Sequence, residues 1–198
     1  MPAPTLEPAP VSTIRITKLD AARRQLRTAI SLWFANGDPI SIHTLAFAAY
    51  EVIHKVSEKK GRTEKLLWDS PKIKDEYRNE FISHSKKHAN FFKHADRDID
   101  SSIEFNPATT DIVILFSMHG LRIMSIEETI DEKAFIYWHM LHNPQFFIEY
   151  PFKSLSNYNI ALFKTFRKED FLKAVRSVFP TKNCSLRIPR ISVPVRPG

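Results

Sequence analysis

Only one cysteine, Cys184, occurs in the 198 residues. An internal disulfide framework is therefore excluded, and such usage fits a reducing compartment. Glycine is almost as scarce. Four residues argue against an all-β fold rich in tight turns and against loops that cradle phosphate; neither GxGxxG nor a Walker-type GxxxxGK is present. Long apolar runs are missing too. The most strongly apolar, Ile112–Phe116 extended by Met118, is too short to cross a bilayer. The opening MPAPTLEPAP lacks the basic and apolar regions of a secretory signal, so the expectation is a cytoplasmic protein with no membrane partner. No G-x-S-x-G elbow occurs, and no histidine neighbours Cys184, which leaves nucleophilic hydrolysis without support.

What the chain does have is proline in informative places. Of 13 prolines, eight lie within 2–10 and 180–197, and four follow a capping-type residue in Asp38-Pro39, Ser70-Pro71, Asn106-Pro107 and Asn143-Pro144. A side-chain acceptor beside a proline suits the first turn of a helix. Only Pro151 falls elsewhere. The reading is an all-α fold: a single-domain bundle of about six to eight helices over 14–179, with one short extended segment. It lies between a Pro/Ala-rich segment 1–13 and a basic, proline-containing segment 180–198, both expected to be disordered.

Net charge is +7, of which Lys182, Arg187, Arg190 and Arg196 supply +4, while Glu7 gives residues 1–13 a charge of −1. The body keeps a mild basic excess, compatible with RNA or another acidic partner without demanding one. The 15 Phe, 5 Tyr and 3 Trp mostly follow helical periods, which assigns them to the core rather than to base stacking.

Periodicity predicts helices over about 18–35, 38–59, 71–95, 107–124 and 131–142, then shorter ones over 144–149, 154–165 and 168–179. Asn36-Gly37 and Gly61 end the first two. In the second, Leu45, Ala49, Val52 and Val56 form the evident core stripe, and His43, Phe47, Tyr50 and His54 a neighbouring line. In the third, Ile73, Tyr77, Phe81, His84, His88, Phe91 and Ala95 recur at intervals of four and three, an inward seam carrying two histidines. Lys86, Asn90, Lys93 and Arg97 then face out. Ser101–Phe105 reads as the extended piece, and Ile112–Phe116 as the middle of the bundle.

The sharpest candidate site is Arg78-Asn79 followed by His84. Imidazole titrates near neutrality and guanidinium binds phosphate in bidentate fashion, so the pair suits proton transfer next to a phosphodiester. Six helical residues rise about 9 Å and place the two side chains roughly 120° apart, so convergence needs a bend, a long reach or a second subunit. The plainer alternative is a solvated Arg78 and a packing His84.

This Arg-x5-His run resembles the R-x(4–6)-H signature of HEPN proteins, small all-α bundles that include many ribonucleases. The resemblance implies a metal-independent endoribonuclease in which His84 helps activate the ribose 2′-OH, Arg78 stabilises phosphate charge and Asn79 assists positioning. In that family two motifs usually meet across a dimer. The signature there sits near the start of a late helix, whereas several helices follow it here.

A broader resemblance covers about residues 16–145. The runs AARRQLRTAISLWFANGDPISIHTLAFAAYEVIH and NFFKHADRD are similar to a family of bacterial helical proteins with no assigned activity, which implies a bacterial-type cytoplasmic protein and no catalytic residue. The second run places Asn90, Lys93, His94, Asp96 and Asp98 together, as a phosphate- or partner-binding cluster, with Lys86 and Arg97 as further binding candidates, or as a helix end whose Lys and His complement the macrodipole.

Glu51-x-x-His54 has the spacing of one half of a di-iron carboxylate site, and Glu80, His84 and His88 offer a second set. The second Glu-x-x-His is missing, so no metal or cofactor is expected. His139-x-x-His142 reads as dipole complementation. Phe146 and Phe147 are expected as exposed edges for a second copy to cover, giving a homodimer. The leading expectation is a binding or regulatory protein with a protein or nucleic-acid partner. The HEPN-like ribonuclease is the alternative, and a metal-binding bundle the second.

Overall fold

The computed structural model describes residues 13–71, 73–94, 99–147 and 157–178. Among them are seven α-helices: α1 Lys18–Phe34, α2 Pro39–Lys59, α3 Asp75–Lys93, α4 Ala108–Ile123, α5 Ile130–His142, α6 Asn157–Lys164 and α7 Lys168–Val178. A 3₁₀ turn, Pro144–Phe146, follows α5, and no strand forms among the described residues. The fold is all-α. No helix among the described residues is long and apolar enough to cross a membrane. Expectations for residues 1–12 and 180–198, including Cys184, lie outside the described residues.

Two of the four proline signals start α-helices as expected. Asp38 accepts from the Ser41 N–H at 2.7 Å at the head of α2, and Asn106 Oδ1 accepts from the Ala108 N–H at 3.0 Å at the head of α4. The other two do not. Helix α3 begins at Asp75, four residues beyond Pro71, without a side-chain cap, and Asn143-Pro144 opens only the 3₁₀ turn. Two unheralded starts are Thr-based capping boxes, Thr17 with Asp20 and Thr129 with Glu132, each satisfying two orphan N–H groups reciprocally. Helix α1 ends where Asn36 takes a left-handed φ of 50° and the Gly37 N–H reaches back to the Leu32 carbonyl at 2.8 Å.

Helix α2 lies between α1 and α4, while α5 packs on α1 and receives α6 and α7. Being sandwiched, α2 buries a wider and rotated face: Ile42, Ala46, Ala49 and Ile53 together with His43, Phe47 and Tyr50. Leu45, Val52 and Val56 are only half-buried, so the evident stripe was the flank and its neighbour the core. Gly120 permits the close approach of α4 to α2. A Cβ there would stand 2.6 Å from Ile53 Cγ2 and 3.1 Å from Leu66 Cδ1. Helix α4 buries Val113, Ile114, Ser117, Met118 and Leu121, yet Ile112 is 44% exposed, so the apolar run is not buried all round.

The largest correction concerns α3. Tyr77 is 56% and Phe91 38% exposed, and Ala89 is the helix's one buried residue. Of the expected seam, Ile73, Phe81 and His88 are half-buried, His84 is exposed and Ala95 lies outside the described residues. The half-buried Arg78, Ile82, Ser85 and Phe92 join Ala89, so the face toward the core is rotated from the expected seam and overlaps it only in part. One step along a helix turns the face by about 100°, and such a rotation carries Tyr77, His84 and Phe91 outward. Phe147 is also buried, and does not offer the exposed edge expected of it. The side chain of Phe146 lies outside the described residues. In the segment 101–105, Ile103 and Phe105 alternate with exposed Ser102 and Glu104 as expected, although without pairing into a strand.

Candidate functional site

Arg78 extends from the first turn of α3 back over the 60–74 connector. Its Nη1 donates to the Trp68 carbonyl at 3.0 Å and Nη2 to the Ile73 carbonyl at 2.9 Å. Nε and Nη2 both donate to Asp75 Oδ1, at 3.0 and 2.6 Å. The guanidinium thus folds the connector, and Ser70-Pro71 sits inside that clamp instead of starting the helix. His84 is 73% exposed in its side chain, with Glu80 Oε1 3.8 Å away. Asn79 and Asn90 are exposed. Arg78 and His84 are accordingly not brought together on one surface.

Lys86 and Lys93 do not face out freely. They straddle Glu51 of α2 at 3.4 and 3.8 Å, and Lys86 Nζ lies 4.5 Å from the centre of the Trp68 ring. His94 is exposed at the C-terminal end of α3, its backbone N–H bonded to the Asn90 carbonyl. Arg97 lies outside the described residues. His88 donates through Nε2 to the Glu104 carbonyl at 3.0 Å and so pins the extended segment to α3.

Glu51 and His54 also part company, one toward the α3 lysines and the other toward Arg62 and Asp69. Asp69 accepts from Arg62 Nη2 at 2.6 Å and from the Leu66 N–H at 2.9 Å. Burial, reinforced by the Arg62 charge, lowers the pKa of His54 below its ordinary value. Among the described residues no group of three or more His, Cys, Asp or Glu side chains is placed to hold a metal ion.

A different group of titratable residues gathers where the last turns of α1 and α5 meet the first turns of α4 and α7. Trp33 closes the buried stripe of α1, and its indole N–H donates to Asp111 Oδ1 at 2.8 Å. The ring is fixed edge-on by Phe34 at 5.0 Å and Phe135 at 4.7 Å between centroids. Asp111 is the acid of α4's first turn, where a carboxylate suits the positive end of the helix dipole. From α7, Lys168 sets Nζ 3.6 Å from the centre of the Trp33 ring. From the last turn of α5, His139 brings Nε2 to 3.6 Å from Asp111 Oδ2. It is buried in the core, so the dipole-capping role expected for it falls to His142 alone.

Burial dominates the electrostatics. It raises Asp111 to a pKa of about 6, against the opposing pull of the Trp33 hydrogen bond and the Lys168 charge. It lowers His139 to about 3, helped by Lys168 and His142, and it lowers Lys168, with Asp111 opposing. The His139–Asp111 approach falls within ion-pair range, but a buried imidazole that resists protonation makes it a carboxylate facing a neutral ring. His139 Nε2 is buried and has no hydrogen-bond partner among the described residues.

These groups adjoin a cleft of about 390 Å³ lined by Trp33, Asn36, Pro39, Ile42, Asp111 and Lys168, with the first turn of α4 on one wall. Asp111 retains 22% side-chain exposure, enough to meet a ligand. Sequence reading missed this site. Its one available signal was Asp111 itself, an acid immediately before the apolar run Ile112–Phe116; nothing in the local pattern marks Lys168 as its neighbour.

No protein-family model, no curated protein and no solved structure matches the chain.

Proposed function

We propose that the protein is a binding protein and that its binding site is the Trp33–Asp111–Lys168 cleft. Ligand sites are concave spaces of about 300–1,000 Å³ with mostly apolar walls and a few convergent polar groups, often with displaced pKa values. The volume, the Trp33, Pro39 and Ile42 walls, and the presence of Asp111 and Lys168 in one lining all fit that description. The single observation that carries the reading is Asp111: a carboxylate kept desolvated, with its pKa raised to about 6, and still open to the cleft. A carboxylate placed for stability alone would be solvated or fully paired.

A smaller cleft of about 240 Å³, between Arg27, Ile30 and the Thr129 capping box, supports no such reading. There Arg176 is bidentate to Asp131 at 2.8 and 2.6 Å, which commits the obvious recognition groups to each other. The Arg78–His84 ribonuclease alternative is not the leading reading, because the guanidinium that would hold phosphate already holds the connector.

The test uses the Trp33 indole N–H as a reporter, since it bonds directly to Asp111. In a fragment screen followed by ¹⁵N–¹H NMR, ligands of the cleft shift that resonance before those of Trp68 and Trp138, and Asp111→Asn weakens them at least tenfold. A screen in which every hit leaves Trp33 unmoved, or binds the Asn variant equally well, would refute the reading.

A further inference from the structure

The cleft already contains one cation, and it is the protein's own. Lys168 stands over the Trp33 face, and the Asp111 carboxylate that holds the Trp33 indole N–H lines the same cleft. An aromatic face backed by a carboxylate attracts ammonium groups twice, through the ring quadrupole and through the fixed negative charge. We infer that the cleft is a binding site for the ammonium group of a small organic amine, and that Lys168 is a displaceable internal occupant of that site. This rests on the cleft being the binding site and adds its ligand class.

Four features support it. First, the ring is preorganised: the indole N–H is tied to Asp111, and Phe34 and Phe135 hold the ring edge-on. Second, the carboxylates next to Lys168 in α7 are engaged elsewhere. Asp170 pairs with Arg167 at 3.0 Å and Lys173 at 3.8 Å, and Glu169 accepts from Asn36 at 3.3 Å. The lysine is therefore held at Trp33 by the cleft and not by its own helix. Third, it occupies the first position of α7 on a flexible four-carbon stem, so it can swing out without disturbing the backbone. Fourth, about 390 Å³ exceeds what one ammonium head needs, leaving room for the carbon body of an amine against Pro39 and Ile42. An anionic ligand would meet Asp111, and a neutral one would gain nothing from the ring and carboxylate together.

The experiment titrates wild type and Lys168→Ala with n-butylammonium, n-butanol and butyrate at one ionic strength, read by the Trp33 indole resonance and by calorimetry. Removing the occupant frees the site, so the Ala variant binds butylammonium at least tenfold more tightly than wild type does. It also prefers butylammonium to either control by tenfold or more, and Asp111→Asn abolishes the preference. Lys168→Met, which keeps most of the stem, repeats the measurement should the Ala variant melt early. Equal binding of butanol or butyrate at Trp33 would overturn the ammonium assignment while leaving the cleft as the site. No gain on removing Lys168 would overturn its role as occupant. Silence at Trp33 toward all three probes in the Lys168 variants would overturn the inference, and silence toward the whole fragment screen would remove the cleft with it.

Discussion

Helix α3 and the Trp33–Asp111 cleft carry the same kinds of side chain, cations and histidines among aromatic rings, and use them in opposite ways. On α3 the polar groups near the core are committed to shape. Arg78 clamps the connector, Lys86 and Lys93 hold Glu51, and His88 pins the 101–105 segment. His84 is left to solvent. At the cleft the groups stay under-compensated: Asp111 is desolvated, His139 Nε2 lacks a hydrogen-bond partner among the described residues, and Lys168 rests on a ring. Satisfied polar groups hold a fold together, whereas groups kept in an unfavourable state mark where a fold is prepared to meet something else.

The largest effect that tests this contrast is the acid response. Burial holds His43 at a pKa of about 4 and His139 at about 3, both below the ordinary 6.5. As pH falls below 6.5 the unfolded chain takes up protons that the folded one refuses, so stability drops. Asp111 acts in the other direction between its ordinary 3.8 and about 6, where the folded form binds the extra proton. His43 and His139 against Asp111 leave a loss of about 2–3 kcal/mol between pH 6.5 and 4.5, and His54, also lowered by burial, adds to it in the same direction. Urea unfolding across that range measures it. His139→Leu should remove roughly half of the histidine contribution, and an unchanged slope would mean that the interior histidines are not the titrating groups.

Next in size is Arg78→Ala. Loss of a guanidinium that bonds three connector carbonyls and Asp75 should cost about 2 kcal/mol, with Arg78→Lys recovering less than half because an ammonium lacks the fork. A variant as stable as wild type would free Arg78 for a different role and weaken the contrast with the cleft.

A smaller change of opposite sign follows for Asp111→Asn. The amide still accepts from Trp33 and sheds a buried charge, so at pH 7 the variant should gain about 1 kcal/mol in thermal unfolding while losing cleft binding. Destabilisation instead would class Asp111 as a structural residue. The smallest effect belongs to His84→Ala, which should move stability by less than about 0.5 kcal/mol because the ring is exposed. If purified wild type nonetheless cleaves RNA and this variant does not, α3 rather than the cleft is the working surface.

Helix existence was readable because it depends on local chemistry. The Asp38 cap, the Asn106 side-chain bond to the Ala108 N–H, the Asn36-Gly37 stop and the positive φ of 72° at Gly61 act within a few residues of themselves. The failures share a cause. Ser70-Pro71 has the right residues for a helix start, but Arg78 and Asp69 hold that stretch as a folded connector through bonds 3 to 15 residues long in sequence. For α3, an alternating apolar and polar pattern is nearly as good one residue along, because rings occur on both sides of the helix. The cleft was illegible for a further reason: Trp33, Asp111, His139 and Lys168 belong to four helices and share no sequence pattern.

The amino-acid sequence alone therefore settled the all-helical class, the rough positions of the helices and most of their ends, since backbone hydrogen bonding and capping operate over single turns. Which face each helix hides, what Arg78 holds and where a desolvated carboxylate meets a lysine were decided by tertiary packing. A helical period fixes the angles between residues on one helix, but only the neighbouring helices set the direction in which that helix points them.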